Sequence, residues 1–313
     1  MQIITHSHET GERPLVAGIG FFDGVHRGHR YLIDRIVAEA RTRNRASAVV
    51  TFREHPRKVL NRGSHLGLLN SLQEKLDMLS ATHLDYCILL DFTVQLSQLS
   101  AEQFLAYLYR DFQVRSLVIG YDHRFGHNRA EGFEQYIAYG KCLGMEILPA
   151  ARFAPEGQAI SSSRIRRLIS EEGDVCEAMR LLSYPYRLKG HIVEGDRIGR
   201  TLGFPTANLQ LVEDKGKALP RPGAYAVQVR TNDGVCYDGM LNFGKRPTVK
   251  EGNPYTIEVH LFGFQGDLYG SDIEVFFYHF MRPEMPFASL DELKLQLQKD
   301  QEQAQALLSP NHP

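Results

Sequence analysis

The first part of the chain alternates short apolar runs with amphipathic stretches. Residues 15–21 (LVAGIGF) are apolar throughout and predict a strand buried on both faces. After the turn FDGVHRGH, residues 30–43 (RYLIDRIVAEARTR) place Leu32, Ile33, Ile36, Val37 and Ala40 on one helical face. The pattern then repeats. Strands are predicted at 46–52, 85–92, 114–120 and 145–150, and helices at 71–80, 101–110 and 132–144. At Ser100 the sequence S-A-E-Q is a capping box, with Gln103 three residues on. Such alternation predicts an α/β architecture, a parallel sheet wound with helices. Ligands of such sheets bind at the C-terminal ends of the strands.

The pattern changes near Tyr184. Strands now follow strands, at 186–193, 223–230, 235–243, 255–264 and 272–280. Thr231-Asn232-Asp233-Gly234 is a hairpin signal. In 223–230, Tyr225, Val227 and Val229 alternate with Ala224, Ala226 and Gln228. This half reads as a compact antiparallel β-barrel. Residues 290–308 form an amphipathic helix, capped by Ser289 with Glu292, which covers the barrel or faces a partner. Two domains are therefore expected, residues 1–183 and 184–313.

Composition narrows the class. The 313 residues carry 36 Lys+Arg and 37 Asp+Glu, a formal charge of −1. Neither half is the basic body of a general nucleic-acid binder, so anion binding has to come from local placement of donors. The four cysteines, Cys87, Cys142, Cys176 and Cys236, stand apart without zinc spacing, as expected of reduced thiols in a cytoplasmic protein. The N-terminal residues lack the basic and apolar regions of a signal peptide, and no apolar run reaches the roughly 18–20 residues of a membrane span. No membrane and no nucleic-acid partner is expected, and the pattern leaves the oligomeric state open.

Three segments of the first half could handle a nucleotide. GIGFFDGVHRGHR, residues 18–30, lies at a strand-to-helix turn, where free backbone N–H groups and the helix dipole favour anions. Gly20, Phe21, Asp23 and Gly24 form the turn, and His26 and His29, at i and i+3, can face one point. A metal pair would need a third ligand, and none is obvious nearby. Two imidazoles donating to a phosphate is the better reading, against a plain turn with surface histidines. VIGYDHRFGHNRAEG, residues 118–132, sets Asp122, His123 and Arg124 after a buried strand, either for a ligand or as a solvated loop. ISSSRIRRLI, residues 160–169, offers Ser162 and Ser163 as N-caps. Its arginines, Arg164 and Arg166, oppose the helix dipole, which a polyphosphate would explain.

In the barrel half, residues 190–209 contain Gly195, Gly199, Arg200 and Gly203, then Phe-Pro-Thr-Ala-Asn. This is a close-approach glycine loop without the Walker A spacing. Thr206 and Asn208 share a face of an extended stretch, and their oxygens suit Mg²⁺. Read alone, the same residues are a turn with Asx hydrogen bonds. Glu258, among Ile257, Val259 and Leu261, is either a general base for a hydroxyl or an outward glutamate beside His260.

GxFDGVHxGH together with ISSSRIR resembles the H-x-G-H nucleotidyltransferases, a Rossmann-like class. FREHP, SLQEKL and GYDHRFG narrow the resemblance to the FMN adenylyltransferase module of bacterial bifunctional riboflavin kinase/FAD synthetases. His123 stands where that family often has Phe, and Ser163 where it often has Thr. GRTLGFPTANL, residues 239–248 and EVHL with DLYG look like the riboflavin kinase module of the same family. The resemblance implies phosphorylation of riboflavin to FMN by ATP, then adenylylation of FMN to FAD with release of pyrophosphate. The expected small-molecule partners are riboflavin, FMN and ATP, with Mg²⁺ as the metal. It implies that His26 and His29 serve the α-phosphate, and that Ser162, Ser163 and Arg166 hold the outer phosphates, with Gly20, Phe21, Asp23 and Gly24 lining the nucleotide. Asp122 and Arg124 would face the flavin. In the barrel, Gly195, Gly199 and Arg200 would close over ATP, Thr206 and Asn208 would hold the metal, Glu258 would act as base and Arg282 would bind flavin.

Overall fold

The structure is a computed structural model describing the chain apart from residues 10, 61–66, 121–122, 128–130, 196–198, 200–201, 213–215, 246–254 and 310–313. Asp122 and Arg200 therefore lie outside the described residues. The chain divides into two compact units, Met1–Leu66 with Asn70–Ser162 and Gly67–Leu69 with Ser163–Pro313.

The first unit runs β1 (Gln2–Ile4), β2 (Leu15–Ile19), α1 (Arg27–Thr42), β3 (Ala46–Phe52), α2 (Pro56–Val59), α3 (Leu72–Ser80), β4 (Tyr86–Leu90), α4 (Val94–Gln98), α5 (Ala101–Asp111), β5 (Val114–Gly120), α6 (Phe133–Leu143) and β6 (Glu146–Ala150). Its six strands form one sheet, in the order β1-β4-β3-β2-β5-β6. Every pairing is parallel. All residues of β2 and β3 are buried, as their apolar runs require. Leu15, Ala17 and Ile19 enter the core on one face of the sheet; Val16 enters that on the other, with Ile33, Ile36 and Val37 of α1. Two capping boxes start helices, Ser71 with Glu74 and Ser100 with Gln103. The edge strand β1 is an addition to the sequence reading. From β2 the chain steps outward to β3 and β4, then crosses back to β5 on the other side. The ends of β2 and β5 thus flank a topological switch point, the place where such sheets bind ligands.

After Ser162 the second unit continues α7 (Ser162–Arg167) into a π-helical turn (Leu168–Glu172) and α8 (Val175–Leu182). Then come β7 (Tyr186–Val193), β8 (Ala207–Leu211), β9 (Gly223–Arg230), β10 (Cys236–Lys245), β11 (Tyr255–Leu261), β12 (Asp272–Arg282) and α9 (Leu290–Leu308). The strands close a barrel in the order β10-β11-β8-β7-β12-β9, every pairing antiparallel. The segment before Ser183 packs on this barrel. Arg221 N–H donates to Ile169 O at 2.9 Å, and the Cys176 thiol donates to Tyr278 O at 3.0 Å. β9 is buried on both faces, more than its alternation implies. The extra cover comes from α9, whose Ala304 packs with Ala226, Met240 and Phe204.

Candidate active sites

The turn after β2 is built from apolar anchors. Phe22 and Val25 are 1% and 0% exposed, and their side chains join the core beneath α1. Holding them there forces φ to +56° at Phe22 and +33° at Val25, with Gly24 between them at +82°. Non-glycine residues rarely accept such values, and strain of this kind collects at ligand-binding turns. α1 starts at Arg27 because His26 caps it: His26 Nδ1 accepts the backbone N–H of His29 at 3.3 Å. A neutral His26 therefore carries its proton on Nε2. The rings of His26 and His29 stack at 3.6 Å with 13° between planes. Burial pushes His26 down to about 4. His29 is held well below the usual histidine range, first by burial and then by His26, Lys75 and His123. The pair is neutral at pH 7, and each ring offers one N–H.

Other parts of this unit converge on the turn. Asp23 is buried, and its Oδ1 accepts Asn70 N–H at 3.3 Å. The Ser162 hydroxyl donates to Asp23 O at 2.9 Å. Lys75 Nζ lies 4.1 Å from the Phe21 ring centroid. His123, after β5, acts electrostatically on His29 and so lies toward the same end of the sheet. Arg124 Nη1 donates to Glu131 O at 2.8 Å.

Two readings of the serine–arginine segment change. Ser162 and Ser163 form the first turn of α7 instead of preceding it, and the Ser162 hydroxyl bonds to the Asp23 carbonyl. Arg164 pairs with Glu177 of α8 at 3.0 Å, so a carboxylate within the chain accounts for that charge without a polyphosphate. Arg166 is half-buried and Ser163 exposed on the same helix.

Neutral burial of His26 has a consequence for acid stability. The unfolded chain takes up a proton near pH 6.5, and the folded state resists it down to about 4. Stability is therefore complete above pH 6.5 and falls as pH drops through that window, by on the order of 3 kcal/mol from this group. Melting curves of the wild type and His26→Asn between pH 7 and 4 should converge as pH falls. Parallel curves would show that His26 is not the group refusing the proton.

The barrel unit holds a cavity of roughly 280 Å³, lined by Gly199, Thr206, Asn208, Glu258, Arg282 and Asp300 together with apolar residues of β9, β10 and α9. Asn208 of β8 is the register partner of Glu258 of β11. The Thr206 hydroxyl donates to Glu258 Oε2 at 3.3 Å. Glu258 therefore faces the cavity beside the two oxygens the sequence paired. His260, on the same face, is buried, and its Nδ1 lies 2.8 Å from Pro205 O, which pins the loop leading to Thr206. The glycine loop is fitted to this cluster. A Cβ on Gly195 would fall 1.9 Å from the Asn208 amide nitrogen, and one on Gly199 2.3 Å from Phe204 O. At Gly199 the obstacle is backbone, so only glycine lets the chain come this close.

Arg282 lines the cavity, but its guanidinium is committed. Nε and Nη2 donate to the Asp300 carboxylate at 2.9 and 2.6 Å, and Gln296 Nε2 donates to the same group at 2.8 Å. Asp300 lies on α9, and only this pairing explains a carboxylate 2% exposed on a helix face. Lys75 and Asp300 are site residues that the sequence reading did not single out, and His260 entered it only as the neighbour of an outward Glu258. Among the described residues, no group of three or more His, Cys, Asp or Glu is placed to hold a metal. No helix among them is long and apolar enough to cross a membrane.

A parallel sheet with paired imidazoles at its switch point, followed by a closed barrel with a Thr–Asn–Glu cavity, fits the class of nucleotide-dependent transferases. The FAD synthetase family model matches residues 8–164, and the riboflavin kinase family model matches residues 182–308. The chain belongs to the bifunctional riboflavin kinase/FMN adenylyltransferase family, whose reactions use ATP to convert riboflavin to FMN and FMN to FAD. It is 36% identical to the Escherichia coli K12 member over 305 residues, 96% of each chain. It is 35% identical to the Haemophilus influenzae member over 312 residues, 99% of this chain and 100% of that protein. For the Listeria monocytogenes member the figures are 35% over 295 residues, 94% and 92%. A solved structure described as a macrolide-efflux protein from Streptococcus pneumoniae superposes with a TM-score of 0.86 at 30% identity, covering 97% of this chain and 98% of that one. That description belongs to the neighbour; its backbone supports the fold.

Proposed function

We propose that the two reactions run at two separate centres, residues 1–183 carrying adenylylation and residues 184–313 carrying phosphorylation. At the first, His26 and His29 donate to the α-phosphate of ATP, with Gly20, Phe21, Asp23 and Gly24 forming the nucleotide turn. Ser162, Ser163 and Arg166 take the outer phosphates, and Asp122 and Arg124 face the flavin. The phosphate of FMN is already an anionic nucleophile, so no general base is required. What the protein supplies is relief of charge at the α-phosphorus and on departing pyrophosphate.

At the second centre, Glu258 accepts the proton of the riboflavin hydroxyl as the γ-phosphoryl group transfers. Gly195, Gly199 and Arg200 close over ATP, and Arg282, braced by Asp300, borders the flavin. Thr206 and Asn208 fit Mg²⁺, because a hydroxyl and an amide oxygen beside a carboxylate form a hard-oxygen set too sparse for a dedicated cage and suited to a metal shared with phosphates. When bound, Mg²⁺ would neutralise charge on the transferred group. The proximity of Thr206, Asn208 and Glu258 within one cavity carries this reading. Four unpaired thiols and the use of ATP support a cytoplasmic setting, with riboflavin, FMN and ATP as the partners.

Metal titration tests the second centre. Thr206→Ala should raise the Mg²⁺ concentration for half-maximal riboflavin phosphorylation by about tenfold or more. FAD formation from supplied FMN should keep its wild-type requirement. An equal shift in both reactions, or none in either, would remove Thr206 from the metal.

A further inference from the structure

Lys75 is 3% exposed, in the first turn of α3. A cation there opposes the helix dipole, and burying an ammonium is costly unless it is fully bonded. Its contacts lie at the ends of β2 and β3. Nζ donates to Phe52 O at 2.8 Å, Thr51 Oγ1 at 3.2 Å and Phe21 O at 3.3 Å. The Thr51 hydroxyl donates to the same Phe21 carbonyl at 3.1 Å. All three acceptors are neutral. The ammonium therefore sets its charge beneath the turn that carries the paired imidazoles, where the buried Asp23 of that turn attracts it.

We propose that Lys75 is a positioning residue of the adenylylation centre, pinning the Phe21 carbonyl and giving the turn above it a buried positive charge that an incoming polyphosphate draws on. This rests on the assignment of that turn to ATP. Burial lowers Lys75 to about 8. The groups facing it titrate elsewhere. Cys87 of β4 is pushed up to about 11, and His29 of α1 is held well below the usual histidine range. Asp23 of the turn attracts the ammonium and holds its pKa up against burial. Free protein thus loses the Lys75 charge as pH rises through about 8, and nucleotide binding has to restore it. ATP binding here should take up a proton, and affinity should fall with rising pH.

The test measures kcat/KM for ATP in FAD formation from supplied FMN, between pH 7 and 9.5. The wild type should lose about tenfold per pH unit above 8. Lys75→Arg keeps its charge and should lose this alkaline fall. Lys75→Met should be at least tenfold slower at pH 7 and equally flat, with riboflavin phosphorylation unchanged as the internal control for folding. A wild-type alkaline fall persisting in Lys75→Arg overturns the proposal, as does a wild-type KM for ATP at pH 7 in Lys75→Met. His29→Ala in the same assay separates the two readings. If it is silent while both Lys75 variants behave as wild type, only the role of Lys75 fails; if it makes FAD at the wild-type rate, the assignment of the turn fails and this proposal with it.

Discussion

Replacing His29 by Ala should stop the chain at FMN. With riboflavin and ATP supplied, FMN should accumulate at the wild-type rate, while FAD formation falls by about 10²–10³-fold, the loss typical of one preorganised donor to a developing oxyanion. The size follows from the geometry. His29 is stacked on His26 at 3.6 Å, and its Nδ1 is buried with no partner among the described residues. Removing the ring deletes a donor and also opens one face of His26, whose own orientation is fixed by the His29 backbone N–H. Because that bond comes from the backbone, it survives the substitution and the helix start is kept. His29→Asn, which restores an N–H on a shorter arm, should recover part of the rate. Product analysis over time distinguishes the outcomes. Loss of both activities in a folded variant would contradict two separate centres, and unimpaired FAD formation would contradict the role of the imidazole pair.

Period and apolarity made most of this architecture readable. Continuous apolar runs identified β2 to β6 as strands of a parallel sheet, and strand-after-strand patterning identified the barrel. Two strands escaped the pattern for physical reasons. β1 is three residues long at a sheet edge, with Gln2 and Ile3 exposed, so it shows no burial signal. β8 follows Pro205 and pairs with β11 through only two residues, Ala207 and Asn208. The catalytic candidates were legible where several unusual residues cluster locally, as at 18–30 and 204–208. Lys75 and Asp300 were not. In SLQEKLDMLS a lysine looks like any solvated helix charge, and only the fold places it under Phe21. Asp300 likewise looks like an outer residue of α9 until Arg282, eighteen positions earlier, is found bonded to it. Arg164 stood out in the sequence, but its partner Glu177, on α8, did not.

Glu258→Gln should produce the mirror-image phenotype. Glutamine keeps an oxygen for the Thr206 hydroxyl, now at 3.3 Å, and fits the register opposite Asn208, so the cavity should hold its shape. It cannot take a proton. General-base removal typically costs 10²–10⁴-fold. Phosphoryl transfer passes through a loose transition state in which the hydroxyl proton departs late, so the lower part of that range applies, about 10²-fold in kcat with little change in KM. Riboflavin and ATP would then yield almost no FMN and, for want of FMN, almost no FAD. Supplying FMN should restore FAD formation fully, since the imidazole pair lies in the other unit. The Thr206→Ala, Glu258→Gln double variant should be far less impaired than the product of the two single losses, because both act through one bonded cluster. A Glu258→Gln enzyme that phosphorylates riboflavin at the wild-type rate would make this carboxylate a structural partner of Thr206, and the hydroxyl would have to lose its proton directly to the transferred phosphoryl group or to solvent.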